Sequence, residues 1–494
     1  MNVRGCVYLV MIVSILSVIY YLCELDGSST TTTNPKPCGI ACSVDESPHF
    51  LIHTPSCVIP DFDPLDPSLS QYRQKNDLEI ACSAKRPLTE TRGLFLVLHK
   101  EHAEDYGATQ ESLNCSYRGI RRIQQDPVKY NHKADKNSHP LHHPPTLTYS
   151  QTSGGPRTTT ARMIIISERE IAHNDKRGKS NGNYCQGNKL SMRVIHDYSL
   201  LVAETLKDIP YFGFYWTASL THDYLKMAKV ADKPSLSYLK QMYTRGYLDH
   251  TILFFISDHG QRWGNFRSTY AGMLEERLPY VMIVFPPWFK EQYPEVWINL
   301  RTNTRRLAST FDIHVTLRDI LTQAYTDLSL PPTVALHGQS LFREVPLGRT
   351  CKDAGISAHY CTCQHTTEVK ADDPRLIAVT KFVVKQLNKD LSDYPACVKL
   401  TLDKITRGRV GTATNSTTPK NSNSVVMTFS VVFVTTPGGA EFESTVKYHQ
   451  ENYQLVSDVS RINPYGNQSH CINHSVFRKY CYCRDMLSTK ANLT

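Results

Sequence analysis

The sequence predicts an α/β fold, a parallel or mixed sheet between helices, with small cysteine-rich β units before and after it. Three observations carry this reading. From about residue 190 to 324, short apolar runs alternate with apolar residues at helical spacing, the pattern of βαβ units. Cysteines gather on either side of that stretch and repeat one spacing. An uninterrupted apolar run near the N-terminus sets the compartment for everything after it.

That run, Cys6 to Cys23, reads CVYLVMIVSILSVIYYLC without charge or proline. A membrane-spanning helix needs about 20 apolar residues, so 6–23 is expected to be a short signal-anchor helix. Arg4 precedes it, Glu24 and Asp26 follow it, and positive charge stays cytosolic. Residues 1–5 then form a cytosolic tail, and the remainder faces the secretory lumen or the cell exterior. A cleaved signal peptide is the alternative and would leave a secreted protein, but Tyr20-Tyr21-Leu22-Cys23 lacks the small residues of a cleavage site. Asn-x-Ser/Thr sequons at Asn114, Asn415, Asn467, Asn473 and Asn492 are candidate glycosylation sites in that compartment. The 13 cysteines beyond the anchor argue for disulfides there. Their odd number leaves one without an intrachain partner, and Cys185 is the candidate for the lost pairing.

Residues 24–37 form a polar stalk, and 38–125 a cysteine-bearing region with β-like runs at Gly93–Leu98 and Cys115–Ile120. Residues 126–183 are polar and rich in His, Pro, Thr and Lys, so they are expected to be disordered, or to replace a lost half-domain. Histidines 139, 142 and 143 fall in this stretch, and its one apolar island is Met163–Ile166. Residues 184–348 carry the α/β pattern. A helix is predicted over 191–208 with Val194, Ile195, Tyr198, Leu201 and Val202 inward, and a strand over 211–216. A second helix follows from near Ser235, with Leu236, Leu239, Met242 and Tyr243 inward. Strands are predicted at 251–256 and 280–285, then a helix over 304–324.

Residues 349–494 read as a cysteine-rich β domain. Val425–Thr435, Pro-Gly-Gly and Glu441–Tyr448 form a hairpin. Cys351, Cys361 and Cys363 have the spacing C-x9-C-x-C, and Cys471, Cys481 and Cys483 repeat it. With Cys397 these are the disulfide candidates; zinc ligation by the paired C-x-C elements is the alternative.

Ligands of open parallel sheets bind at the carboxyl ends of strands. Strand 211–216 runs into Thr217-Ala-Ser-Leu-Thr-His222-Asp223, and strand 251–256 into Ser257-Asp258-His259-Gly260. A βαβ connection puts both loops at one edge, where His222, Asp258 and His259 can converge as metal donors. A loop with an aspartate cap is the structural alternative.

Asp258-His-Gly260, Glu275-Glu-Arg-Leu-Pro279, Ser309-Thr-Phe-Asp-Ile-His and Gly338-Gln-Ser-Leu-Phe342 follow one another in the order seen in the sulfatase and alkaline-phosphatase-like superfamily. WTASLTHDYL, ILFFISDHGQRWG, LEERLPYVMIVFPPWF and CVIPDFDPLDPS resemble, more narrowly, the uncharacterised sulfatase-like ectodomain family of animals. The resemblance implies an alkaline-phosphatase-like sheet, Asp258 and His259 as metal ligands, and His222 as a ligand or substrate-contacting catalytic residue. It implies a lumenal metal-dependent hydrolase of phosphate or sulfate esters, with Ser, Thr or a modified Cys attacking on the metal. The family's opening strand, metal-binding Asp and nucleophile have no counterpart here: Met163–Ile166 runs into Ser167-Glu-Arg-Glu170. The expected sheet is therefore incomplete, its first strands missing, and the site catalytically degenerate. The contrasting reading is a non-catalytic cell-surface binding or structural glycoprotein on the same fold.

An Asp–His donor set favours Zn²⁺ or Mn²⁺ over Ca²⁺. Arg262 and Arg267 are candidates to hold an anionic ester through bidentate contacts. A net charge of +9 suits an anionic glycan, lipid or ester partner in addition to the membrane, and no nucleic-acid module is present.

Overall fold

Five of the six residues of Thr251–Ile256 are buried, as a strand covered on both faces requires. The computed structural model sets this run inside a six-stranded sheet. Structure is described for residues 8–13, 50–61, 67–72, 80, 82, 89–92, 95–98, 147–149, 159–167, 184–186, 188–333, 335–363, 366–412, 426–449 and 452–487.

Along the chain, β1 is Tyr8–Val13, β2 Phe50–Thr54, β3 Cys57–Pro60, β4 Thr89–Arg92, β5 Phe95–Leu98, β6 Leu147–Tyr149 and β7 Thr159–Ser167. Then come β8 (Cys185–Gln186), β9 (Lys189–Leu190), α1 (Ser191–Thr205), β10 (Tyr211–Trp216), α2 (Ala228–Thr244) and β11 (Thr251–Ile256). They are followed by α3 (Tyr270–Arg277), β12 (Val281–Val284), α4 (Pro287–Gln292), α5 (Pro294–Asn303) and α6 (Thr310–Thr322). The last elements are β13 (Thr367–Val369), α7 (Pro374–Asp390), β14 (Thr401–Thr412), β15 (Met427–Thr436), β16 (Ala440–His449), β17 (Asn452–Leu455) and β18 (Ser460–Arg461).

The chain divides into two units: residues 1–44, 71–259 and 279–292, and residues 45–70, 260–278 and 293–494. In the first, the sheet order is β12-β11-β1-β10-β7-β6. The four central strands are parallel, and β6 and β12 run antiparallel at the edges. Helices α1 and α2 supply Ile195, Val202, Leu239 and Met242 to a core with Tyr215, Leu253 and Phe255. Cys82 bonds Cys185 in this unit.

Several expectations are corrected here. The apolar run read as an anchor helix is, over Tyr8–Val13, a strand between β10 and β11; the rest of the run lies outside the described residues. An unbroken run of Val, Ile and Leu serves equally a central strand buried on both faces and a membrane helix. No helix among the described residues is long and apolar enough to cross a membrane. The stretch expected to be disordered contains β6 and β7, so β10 has neighbours on both sides. Cys185 has its partner in Cys82. The strand predicted at 280–285 runs antiparallel because its entry is tied to the exit of β11. Ser257 N–H donates to Tyr280 O at 2.9 Å, and Tyr280 N–H to Ser257 Oγ at 2.8 Å. The excursion between them closes on itself like a hairpin. Helix α2 begins at Ala228, about two turns before Ser235, with Pro234 inside it; its inner face is Ala231, Tyr238, Leu239 and Met242, and Tyr243 is exposed. The predicted 304–324 helix is α6 alone, since a turn separates α5 from Ser309.

In the second unit, β13-β14-β15-β16-β17 form an antiparallel sheet, with β18 also on β16. The predicted hairpin is β15–β16. Asp373 caps α7 by accepting from Arg375 N–H, with Pro374 in the first turn. Leu376, Val379, Val383 and Leu387 then fall on one face, in a core with Phe429, Val431 and Phe433 of the sheet. A Cβ at Gly408 would lie 2.2 Å from Leu376 Cδ2, so glycine is what lets α7 lie on β14.

All seven cysteines named as disulfide candidates are bonded: Cys351–Cys361, Cys57–Cys363, Cys397–Cys481 and Cys471–Cys483. With Cys82–Cys185 these five bonds suit an oxidising compartment, the secretory pathway or the cell exterior.

Candidate functional site

Strand register, set by the core, decides where the polar loops emerge. Trp216 and Ile256 are both register partners of Val13 on the strand between them, and Ser167 is level with Trp216. The four parallel strands therefore end together at one carboxyl edge. The loop after β10 carries His222, and the loop after β11 carries Asp258 and His259. One strand, β1, separates the two, so the loops start about 10 Å apart at the spacing of paired strands.

Each loop is shaped by its own backbone. Thr221 N–H and His222 N–H both donate to Ala218 O, at 3.1 and 3.0 Å. This tight turn leaves His222 and Asp223 exposed. His222 Nδ1 lies 2.8 Å from Asp223 Oδ1. A carboxylate oxygen accepts, so this contact suits the ring tautomer that carries its N–H at Nδ1. Contacts of this kind, from a ring N–H to a carboxylate, fix the orientation of an imidazole.

At the second loop, the Ser257–Tyr280 pair fixes the exit direction of the chain. Asp258 Oδ1 accepts from His259 N–H at 2.9 Å. Its other oxygen, Oδ2, stands 3.4 Å from His259 Nε2. Two ligands on one tetrahedral ion at about 2.0–2.1 Å are separated by roughly 3.3–3.4 Å, so this pair has the spacing of one edge of a metal site. Gly260 ends the motif. A Cβ there would fall 2.4 Å from Glu275 O, so a side chain is excluded by backbone.

Arg262 and Arg267 belong to the other unit. Arg262 is exposed. Arg267 is 2% exposed, and its Nη2 donates to Glu443 at 2.7 Å and to Glu276 at 3.1 Å. Arg277 and Arg407 bind the same Glu443 at 2.7 and 2.8 Å. Those three guanidiniums hold the Glu443 carboxyl far below its ordinary range despite a desolvation that pushes the other way. Burial in the cluster lowers Arg407 to about 10.

This cluster was not anticipated, because Glu443 sits on the alternate face of β16 from Phe442 and reads as solvent-facing. Asp223, the partner of His222, was missed as well; its adjacency to the histidine was the available signal. Asn467 and Asn473 are exposed, while Asn114, Asn415 and Asn492 lie outside the described residues, as do histidines 139, 142 and 143.

Among the described residues, three donor triplets lie within 4.8 Å: Cys351, Cys361 and Cys363; Cys397, Cys471 and Cys481; and His470, Cys483 and Asp485. Every cysteine in them is in a disulfide, which removes its thiolate as a ligand.

A family model for DUF229, proteins of unknown function, matches residues 159–406, from the start of β7 into β14. No curated protein and no solved structure matches.

Proposed function

The chain belongs to the DUF229 family, and from that premise we propose that it binds a divalent metal through Asp258, His259 and His222, and through it a phosphate or sulfate ester. The single observation behind this reading is the shared carboxyl edge: β10 and β11 end level against β1, and both donor loops leave from there. The donor set of two imidazoles and one carboxylate suits Zn²⁺ or Mn²⁺. The bound ion would offset the charge of an ester oxygen. Asp223 would hold the His222 ring in the ligating tautomer, and Ser257 would fix the direction from which Asp258 approaches.

The order of motifs in the sulfatase and alkaline-phosphatase-like superfamily supports the same substrate class. No nucleophile or additional metal-binding Asp was identified in this sequence, so the reading is ester recognition with hydrolysis weak or absent. The compartment is the secretory lumen or cell surface, with Asn467 and Asn473 as exposed glycan acceptors.

The test is metal content of the purified full chain, wild type against Asp258→Ala plus His259→Ala. About one equivalent of Zn²⁺ or Mn²⁺ in the wild type, lost in the double variant, is the expected result. Generic phosphodiester and sulfate-ester substrates then measure turnover. Absence of metal in wild-type protein incubated with either ion would overturn the proposal and favour a non-catalytic binding glycoprotein.

A further inference from the structure

The two C-x9-C-x-C motifs share a spacing and differ in pairing. In the first, Cys351 bonds its second cysteine, Cys361, and the third, Cys363, reaches out to Cys57. In the second, Cys471 bonds the third, Cys483, and the second, Cys481, reaches out to Cys397. The pairing of the first motif is nevertheless within reach in the second. Cys471 Sγ and Cys481 Sγ are in non-bonded contact at 3.7 Å. The sulfurs of Cys397, Cys471 and Cys481 all lie within 4.8 Å of one another. Cys397 and Cys483 are direct partners in an antiparallel bridge. That bridge is held by Val398 N–H to Tyr482 O and Arg484 N–H to Ala396 O, both at 2.9 Å.

We propose that these four cysteines form a disulfide-exchange site that accepts a small thiol and interconverts two pairings, the second being Cys471–Cys481 with Cys397–Cys483. Exposure defines the point of entry. Cys481 and Cys483 are fully buried and Cys397 is nearly so, whereas Cys471 is half-buried.

An external thiolate attacks Cys471 Sγ, breaks its bond to Cys483 and leaves Cys483 as thiolate. Cys483 attacks its bridge partner Cys397, forming Cys397–Cys483 and releasing Cys481 as thiolate. Cys481, already in contact with Cys471, attacks the mixed disulfide there, forms Cys471–Cys481 and expels the external thiolate. Two disulfides enter and two leave, the thiol is regenerated, and there is no net oxidation. The exchange closes loop 472–480, with the exposed Asn473, on itself, as Cys351–Cys361 closes 352–360.

Two double variants of the full chain test this. Cys397→Ala/Cys481→Ala leaves the pair bonded in the structure. Cys397→Ala/Cys483→Ala leaves only Cys471 and Cys481. Free thiols are counted by maleimide labelling and mass spectrometry under denaturing conditions. Both variants are expected to show the wild-type count, the second with a Cys471–Cys481 cross-link. Two extra thiols in the second variant alone would overturn the proposal.

Because either variant can fail to fold, wild-type protein is also equilibrated with catalytic reduced glutathione, alkylated, cleaved after Tyr482 and mapped. Both sets of linkages are expected. Recovery of Cys471–Cys483 and Cys397–Cys481 alone after equilibration would refute the exchange.

Discussion

Replacing Glu443 by Gln keeps the shape of the side chain and removes its charge. In the wild type, three guanidiniums (Arg267, Arg277 and Arg407) face two carboxylates, Glu443 and Glu276, a local excess of one positive charge. The variant raises that excess to two, at a position with no exposed surface. Removing one partner of a buried charge cluster costs about 3–5 kcal/mol, mostly because the remaining charges stay desolvated. Glu443→Gln is therefore expected to lose about that much unfolding free energy at pH 7, measured by urea denaturation followed by fluorescence. The pH dependence follows from the sign of the shift. The folded-state pKa of Glu443 is depressed below its ordinary value of 4.5, so the unfolded state binds the proton first as pH falls. The advantage of the wild type is complete above pH 4.5 and shrinks below it. Wild type and variant should converge in acid. A difference at pH 7 below about 1 kcal/mol, or one of full size at pH 3, would refute this account of the cluster.

Asp312→Ala should destabilise by about 3–5 kcal/mol in the same assay. It removes the buried carboxylate that takes two hydrogen bonds from Arg349, both at 2.8 Å, and also accepts from Ser309 N–H and Gln339 N–H. His196 is buried and stacked on Tyr238, and desolvation, helped by Arg193, pushes its pKa from 6.5 down to about 3. Its unfolded form binds the proton first, so wild-type stability should fall by about 1.4 kcal/mol per pH unit below 6.5 from this group. His196→Phe should remove that slope, and an unchanged slope in the variant would count against it. Gly408→Ala sets a methyl 2.2 Å from Leu376 Cδ2 and should cost about 1–3 kcal/mol by thermal or urea unfolding.

What was legible in the sequence was what local chemistry alone decides. Tyr211–Trp216 and Thr251–Ile256 were predicted with the bounds they have, because each is an apolar run of strand length ended by polar loop residues. The face of α1 was legible because apolar residues recur at helical spacing: Val194, Ile195, Tyr198 and Val202 are buried as predicted, while Leu201, at the margin of that face, is half-buried. The sequence was silent where two structures satisfy the same pattern. Tyr8–Val13 belongs to a run apolar enough for a lipid helix, and nothing local tells such a run from the interior of a parallel sheet; the choice lies in the strands that flank it. Glu443 failed for the converse reason: alternation assigns it to water, and its burial follows from Arg267 and Arg277 at either end of the α3 segment and Arg407 on β14, all remote from it in sequence.

The candidate site lies between these cases. Asp258 and His259 are neighbours in the chain, and the loop after β11 brings their side chains to 3.4 Å. That His222 shares their edge depends on a register transmitted through a third strand. The cysteines push the same reasoning furthest. Two motifs of identical spacing close in two different ways, so spacing sets which sulfurs can meet, and the bridge between Cys397 and Cys483 sets which exchange is open to them.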